Sequence, residues 1–491
     1  MNQLATPDCA DARSGHRLKA NVIGPWGLAA LAIGITSPAM GLYALWGPMQ
    51  AAAGPITPLV FLGALIITLP TALSYATLNR HAPSAGAALS WLWQAMNPAV
   101  GFLAGLTMMT YFVMVSVSQP LLFSLFFREL LVWAELPVSQ MTALGMGILL
   151  ETSIIAWICL RGAEASIKTT VRLMIVETAV VVALSATIIA VKAAEPGGLS
   201  LAPLDPQQAV NGLSGFWGAM ILGVLAFCGF DVVSTAAEEA RAPREFVPRA
   251  IVLTVVGVAL FWAVNAWVLT LSMPHASVVE YNNQGLTAIT PVAKAYWGAG
   301  NLIVILTAFT GLIAVYISCV QGASRIIFAL ARHELLPAGL AKLSGAKRIP
   351  RNAILTVVLI CVVLDFASLA VLQDGLDSFV WWSNGLVFFA TLTFTGVNIA
   401  NLLYFRRILP ERRKLIANVV VPVIGAAANI YLIYAAFFSS LWAGPLATGK
   451  SVVIACVALL AVQIAAVSYV ARRKRARLSH GIPMGAEPTD G

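Results

Sequence analysis

Four acidic side chains fall inside long apolar runs of this chain: Glu151, Glu177, Asp231 and Asp365. An ionised carboxylate at the centre of a bilayer costs about 3 kcal/mol even on insertion-based scales, so each needs a partner or a proton. Glu177 is set in Met174-Ile175-Val176-Glu177-Thr178-Ala179-Val180, with no basic residue within a turn. Two chemistries suit it: a neutral carboxyl hydrogen-bonded to a neighbouring helix, or a carboxyl that loads and releases a proton. Asp231 follows Gly229-Phe230. It is read chiefly as a tie from its segment to the first or eighth apolar run, with a direct ammonium contact as the alternative. Glu151 is expected to be structural or partly exposed, and Asp365 to lie near the outer end of its helix; neither is given a role. Glu238, Glu239, Arg241, Arg244 and Arg249 form a charged cluster just beyond an apolar run. The cluster is read mainly as solvated, with pairing of Glu238 or Glu239 to Arg325 or Arg332 as the alternative. His81, His275 and His333 are expected at loop surfaces.

The elements that position these groups follow from composition. Of 491 residues, 59% are hydrophobic and 10% charged, and mean hydropathy is +0.85. A soluble domain carries roughly 25% charged residues, so most of this apolar surface must face something other than water. Runs of about 20 apolar residues span the hydrocarbon. Twelve are expected, at 24–50, 57–79, 98–127, 138–160, 169–192, 214–237, 248–272, 299–331, 352–373, 378–405, 416–440 and 449–471. The gaps leave no room for a separate soluble domain. The six cysteines are scattered with no C-x-x-C, which indicates neither a disulfide framework nor a metal site. Net charge is +9, but the basic residues sit in short clusters between the runs, which is a topology signal and not a nucleic-acid footprint.

Orientation follows from those clusters. With the N-terminus cytoplasmic, 26 of the 30 Lys and Arg residues fall inside, and only Arg128, Lys192, Lys294 and Lys450 outside. Cytoplasmic positive charge is the expected bias. Both termini are therefore expected to be cytoplasmic, with the polar first 20 residues read as a tail and not a signal peptide.

Two spans carry backbone breakers. Span 1 contains Gly34-Ile35-Thr36-Ser37-Pro38-Ala39-Met40-Gly41, and span 6 contains Phe227-Cys228-Gly229-Phe230-Asp231. Proline lacks an N–H and clashes with the preceding turn, while glycine tolerates non-helical dihedrals. One such helix would be read as a kink. A pair in equivalent positions of two inverted halves, spans 1–5 and 6–10, points to a central binding site of a transporter. Half-helix N-termini there offer N–H groups to a carboxylate, and loosened carbonyls offer acceptors to an ammonium group or cation. That chemistry suits a zwitterion. Segments 75–101 and 273–298, each following the second helix of its half, could latch a moving bundle. In the first, Pro83-Ser84 is expected to start a short helix that Asn97-Pro98 ends.

These motifs resemble the amino acid–polyamine–organocation (APC) permease superfamily. Gly229-Phe230-Asp231, Glu238-Glu239 and Pro248-Arg249-Ala250 match its span-6 pattern. Pro83-Ser84-Ala85-Gly86, Asn97-Pro98 and Gly101-Phe102 match its loop after span 2, and Arg325 to Arg332 with Leu336-Pro337 match the end of its span 8. The resemblance covers spans 1–10 and, more weakly, the last two. It implies an all-α polytopic membrane protein with a five-plus-five inverted repeat (LeuT-like) and two further C-terminal helices, working by alternating access. The divisions are a tail at 1–23, repeats at 24–192 and 214–405 joined by an extracytoplasmic loop at 193–213, spans 11–12 at 406–471, and a tail at 472–491.

Carried over residue by residue, the substrate candidates are Thr36, Ser37, Pro38, Ala39 and Gly41 in span 1, and Phe227, Cys228, Gly229, Phe230 and Asp231 in span 6. Tyr111 and Ser318 are expected to face the same cavity. Some relatives stack a span-6 aromatic over the substrate where this chain has Leu225; Phe227 or Phe230 is the substitute. Span 5 flanks the place where relatives bind sodium or a proton-linked lysine, so Glu177 is the proton-coupling candidate. Glu238, Glu239, Arg325 and Arg332 are candidates for a cytoplasmic gate. The expected function is secondary active transport of an amino acid or related amine across the cytoplasmic membrane, by symport or exchange, with protons favoured over sodium. The alternative is a polyamine importer, since Ser383-Asn384-Gly385 and the loop after span 2 also resemble putrescine permeases. A polycation, however, should meet two or more cavity carboxylates. No H-E-x-x-H, G-x-S-x-G or phosphate-loop motif is present, so no enzyme activity, cofactor, metal or nucleic-acid partner is expected. The oligomeric state is left open.

Overall fold

The computed structural model describes residues 21–283, 287–345, 348–443 and 449–473. The two expected tails fall almost wholly outside these described residues. Among the described residues, twelve helical segments are long and apolar enough to cross a membrane. They run Pro25–Tyr43, Trp46–His81, Pro98–Trp133, Gln140–Cys159, Ser166–Ala193, Gly215–Thr235, Pro243–Ser272, Ile289–Arg332, Arg351–Leu372, Gly375–Arg407, Ile416–Ser439 and Ser451–Arg472, and are called spans 1 to 12. Large apolar side chains such as Leu253, Val264, Leu359, Val363, Ile424 and Val462 point outwards, as a lipid-facing surface requires.

Local chemistry sets many of the helix starts. Asn97 accepts from Val100 N at 2.9 Å, with Pro98 filling the first helical position, where no N–H partner is needed. Ser139 caps span 4 through Thr142 N, and Asp374 caps span 10 through Leu376 N and Asp377 N. Several boundaries differ from expectation, among them the end of span 3 at Trp133 and the start of span 8 at Ile289. Span 1 ends at Tyr43, and residues 46–53, expected in span 1, form a two-turn helix that opens span 2. The short helix after span 2 starts at Ala88 and not at residues 83–84. Ser84 and Gly86 instead make a side-chain turn, and Ala87 sits at φ 40°.

The two halves repeat one plan. Spans 1 and 6 are each interrupted, and each half places a short helix after its second span: Ala88–Ala95 in one, His275–Asn283 in the other. This is the five-plus-five inverted repeat, with spans 11 and 12 appended. Asparagines fasten span 11 to the repeat: Asn429 Nδ2 and Asn398 Nδ2 both donate to Thr71 of span 2, and Asn418 Nδ2 donates to Asn401 of span 10.

The ends of the molecule differ in charge. One end gathers the basic segments, including Arg80, Arg332, Arg351 and Arg407, and is called the basic end below. Arg407 reaches across it to the carbonyl of Ala95 at 3.2 Å.

Candidate functional site

In span 1 the helix Pro25–Thr36 stops and resumes only at Met40. Ser37 turns the chain at φ 34°, a positive value that side chains avoid. Its hydroxyl explains why serine is placed there. Ser37 Oγ accepts from Met40 N at 3.1 Å and donates to the Glu177 carboxyl, at 2.9 Å from Oε2 and 3.1 Å from Oε1. Glu177 is completely buried. Opposite it, span 8 presents Gly311, where an added Cβ would come within 2.3 Å of Glu177 Oε2 and 3.1 Å of Ser37 Oγ. A carboxyl, a hydroxyl and a bare backbone from spans 5, 1 and 8 thus meet at the break. Next to it, Trp262 of span 7 donates its indole N–H to the Pro38 carbonyl at 2.9 Å. Gly41 lets that indole approach, since a Cβ there would lie 2.4 Å from it. Thr36 turns its hydroxyl back onto Ile33 O and Ala32 O, and Ala39 is buried.

Span 6 breaks in the same region. The helix Gly212–Phe227 ends, Gly229 takes φ 109°, and a single turn follows at Val232–Thr235. A Cβ on Gly229 would sit 2.6 Å from Ile35, so the two breaks abut. Asp231 is completely buried and both its oxygens are occupied: Tyr111 OH donates to Oδ1 at 2.7 Å, and Tyr75 OH to Oδ2 at 3.2 Å. Asp231 therefore ties span 6 to spans 2 and 3, not to span 1 or 8 as expected. Its neighbours supply phenolic donors, which satisfy a buried carboxylate better than backbone N–H groups already used in turns. Phe227 packs edge-on against Trp262 (centroids 5.2 Å, 74°), while Phe230 packs against Tyr75 and Phe394. Cys228 Sγ donates to Val224 O in its own helix. Ser318 bonds Ala314 O, yet its Oγ lies 3.2 Å from where a Cβ on Gly34 would be, so it faces span 1 just before the break.

The four gate candidates gather elsewhere, at the basic end. Arg332 grips Glu238 with both terminal nitrogens, at 2.9 and 3.0 Å. Arg325 Nε donates to Glu239, with the two side chains 2% and 9% exposed. The reading of Glu238 and Glu239 as mainly solvated is corrected: the turn after span 6 folds inward against span 8, and burial demands the pairing. Arg249 with Glu245 does remain exposed. The segment leading into span 1 adds to the seal, as Val22 N and Ile23 N donate to Glu239 O and Arg241 N donates to Ile23 O. His333 is not a free surface residue either. It lies against Trp93, and burial, reinforced by Arg332, pushes its pKa down to about 4.

Glu151 and Asp365 are both completely buried, which for Glu151 leaves the structural reading and removes the partly exposed one. They lie apart from the breaks. Residues that the sequence reading passed over include Trp262, Tyr75, Phe394 and Gly311. At the end opposite the basic one, Glu129 of span 3 accepts from Thr287 and Thr290 at 3.4 and 3.3 Å. The signal for Trp262 was a lone indole in an apolar run, whose N–H must find a partner when buried. Among the described residues no three His, Cys, Asp or Glu side chains come together as a metal site would require.

Residues 23–462 match the amino acid permease family. Among curated proteins, the chain is 25% identical over 348 residues to the branched-chain amino acid permease BcaP of Lactococcus lactis, covering 68% of this chain and 73% of that protein. It is 25% identical over 447 residues to the methylthioribose transporter of Bacillus subtilis, covering 86% and 90%. It is 27% identical over 246 residues to the low-affinity putrescine importer PlaP of Escherichia coli, covering 48% and 51%.

Proposed function

This chain belongs to the amino acid permease family, and on that premise we propose how it selects and moves its cargo. It is an integral multi-pass permease for an amino acid or a related amine, and not an enzyme. The cargo we assign is a single zwitterion with an apolar side chain, held by backbone groups of residues 36–41 and 227–231 beside Phe227 and Trp262. The observation that carries this choice is the occupancy of Asp231, whose two oxygens already accept tyrosine hydroxyls. Glu177 is likewise engaged by Ser37. A polyamine needs a carboxylate for each ammonium group, and neither of these is spare. The branched-chain permeases among the relatives support the same choice.

Coupling is assigned to a proton on Glu177. Ionised, Glu177 is acceptor-only, and Ser37 must donate to it. Protonated, its O–H can donate to Ser37 Oγ, which releases the serine proton toward a new acceptor such as a substrate carboxylate. Proton and substrate would then favour the same state of the span-1 break. Access at the basic end requires Glu238–Arg332 and Glu239–Arg325 to part. On the charge bias we assign that end, and both termini, to the cytoplasmic face of the cytoplasmic membrane.

A thermal-shift comparison of purified protein with leucine, isoleucine, methionine and putrescine tests the cargo. Saturating a native-state site raises the melting point by mass action. A shift with the apolar amino acids and none with putrescine supports the assignment; the reverse pattern sinks it.

A further inference from the structure

On the far side of span 8 from Glu177 lies a second group of titratable side chains. Glu151 comes from span 4, Tyr316 and Cys319 from span 8, and Cys361 and Asp365 from span 9, three spans that pack on one another. All five are buried. Asp365 interacts electrostatically with Glu151, and Tyr316 with Cys361, Asp365 and Glu151. Cys319 faces Cys361 and Glu151. Among the described residues the charged group that acts on Asp365 is Glu151, and no basic group acts on either carboxyl.

Neither oxygen of Glu151 and neither oxygen of Asp365 has a hydrogen-bond partner among the described residues. A buried carboxylate without a cation or donors carries a large desolvation cost, and two that interact electrostatically also repel each other when both are ionised. The inexpensive form is the protonated one. Protonation of either carboxyl removes a charge, and a carboxylic acid presents an O–H where a carboxylate can only accept. Span 8 thereby carries acid chemistry on two faces. Gly311 and Ser318, seven residues apart, face spans 5 and 1, while Tyr316 lies about 140° further round the helix from Gly311. The absence among the described residues of any three-residue metal-ligand group argues for a proton over a divalent ion.

We propose that Glu151 and Asp365 form a second proton-binding site, walled by spans 4, 8 and 9 and separate from Glu177. The two carboxyls titrate as a coupled pair, so that each affects the other's protonation. The site does not depend on Glu177 being the coupling residue.

Infrared difference spectroscopy of the full chain in lipid nanodiscs tests this, with pH stepped from about 5 to about 9, the range that buried carboxyls can reach. The wild type is expected to lose carboxylic-acid C=O intensity as pH rises. Glu151→Gln and Asp365→Asn should each remove about half of the component that survives in Glu177→Gln, and should shift the midpoint of the remainder. Wild-type protein with no pH-sensitive carboxylic-acid band beyond that of Glu177 would overturn the proposal without reliance on any span-4 or span-9 variant. So would carboxylate bands that respond to sodium or potassium and not to pH.

Discussion

The two helix breaks solve one geometric problem with different residues. Span 6 turns on Gly229, which takes φ 109° without a side chain to clash. Span 1 turns on Ser37, which holds φ 34° against the preference of any side chain. The first is fixed by partners of constant character: tyrosine hydroxyls on Asp231, then arginines on Glu238 and Glu239. The second is fixed by a carboxyl that can change its charge, on a hydroxyl that can both donate and accept. Where the backbone only has to bend, glycine suffices. Where the bend has to answer a proton, the chain accepts strain to keep a hydroxyl.

Several experiments would break or sharpen that contrast. The largest effect belongs to the fixed side. Arg325→Ala strands Glu239 in a buried position, and removing one partner of a buried pair costs about 3–5 kcal/mol. The melting temperature in detergent should fall by several degrees, and Arg325→Leu with Glu239→Leu should restore much of the loss. If the single variant melts like wild type, the pair is not what pins the end of span 6.

Next comes the comparison of the bends themselves. Gly229→Ala places a methyl against Ile35 at a positive φ and should cost about 1–3 kcal/mol. Ser37→Gly relaxes its backbone but leaves Glu177 without its donor, and the two effects offset, so stability should move less than in Gly229→Ala. Its pH-dependent uptake should nonetheless disappear. Equal stability losses in the two variants would erase the distinction drawn here.

Smaller still is the tyrosine pair. Tyr111→Phe removes the 2.7 Å bond to Asp231 and should cost about 1.5 kcal/mol, more than Tyr75→Phe, whose bond is 3.2 Å. Reversal of that order in chemical denaturation would mean that the shorter bond is not the stronger tie. The slightest effect is at His333. Its folded pKa of about 4 lies below the unfolded value of about 6.5, so the unfolded chain binds more protons between them. Stability should therefore fall as pH drops through that window, by about 1 kcal/mol near its middle after solvent screening. His333→Asn should flatten the slope.

Much of this architecture was legible locally. Apolar length gave the spans, Pro38 and Gly229 marked the breaks, and the isolation of Glu177 in an apolar run marked it as needing a partner. What local sequence could not carry was the identity of partners. Ser37 and Glu177 are 140 residues apart, and Trp262 reaches Pro38 across 224. Glu238 and Glu239 looked solvated because their neighbours in sequence are charged; only the fold brings Arg325 and Arg332 onto them. Gly311 is an extreme case. One glycine in an apolar helix says nothing of a carboxyl from span 5 that needs the room.

The central claim is that the span-1 break is governed by the proton on Glu177, and Glu177→Gln in proteoliposomes meets it most directly. Uptake driven by a pH gradient should drop about tenfold or more, as loss of a proton-transfer group implies. Counterflow of substrate without a gradient should persist, because the amide keeps a donor and an acceptor for Ser37. Undiminished gradient-driven uptake by a well-folded Glu177→Gln protein would contradict the account.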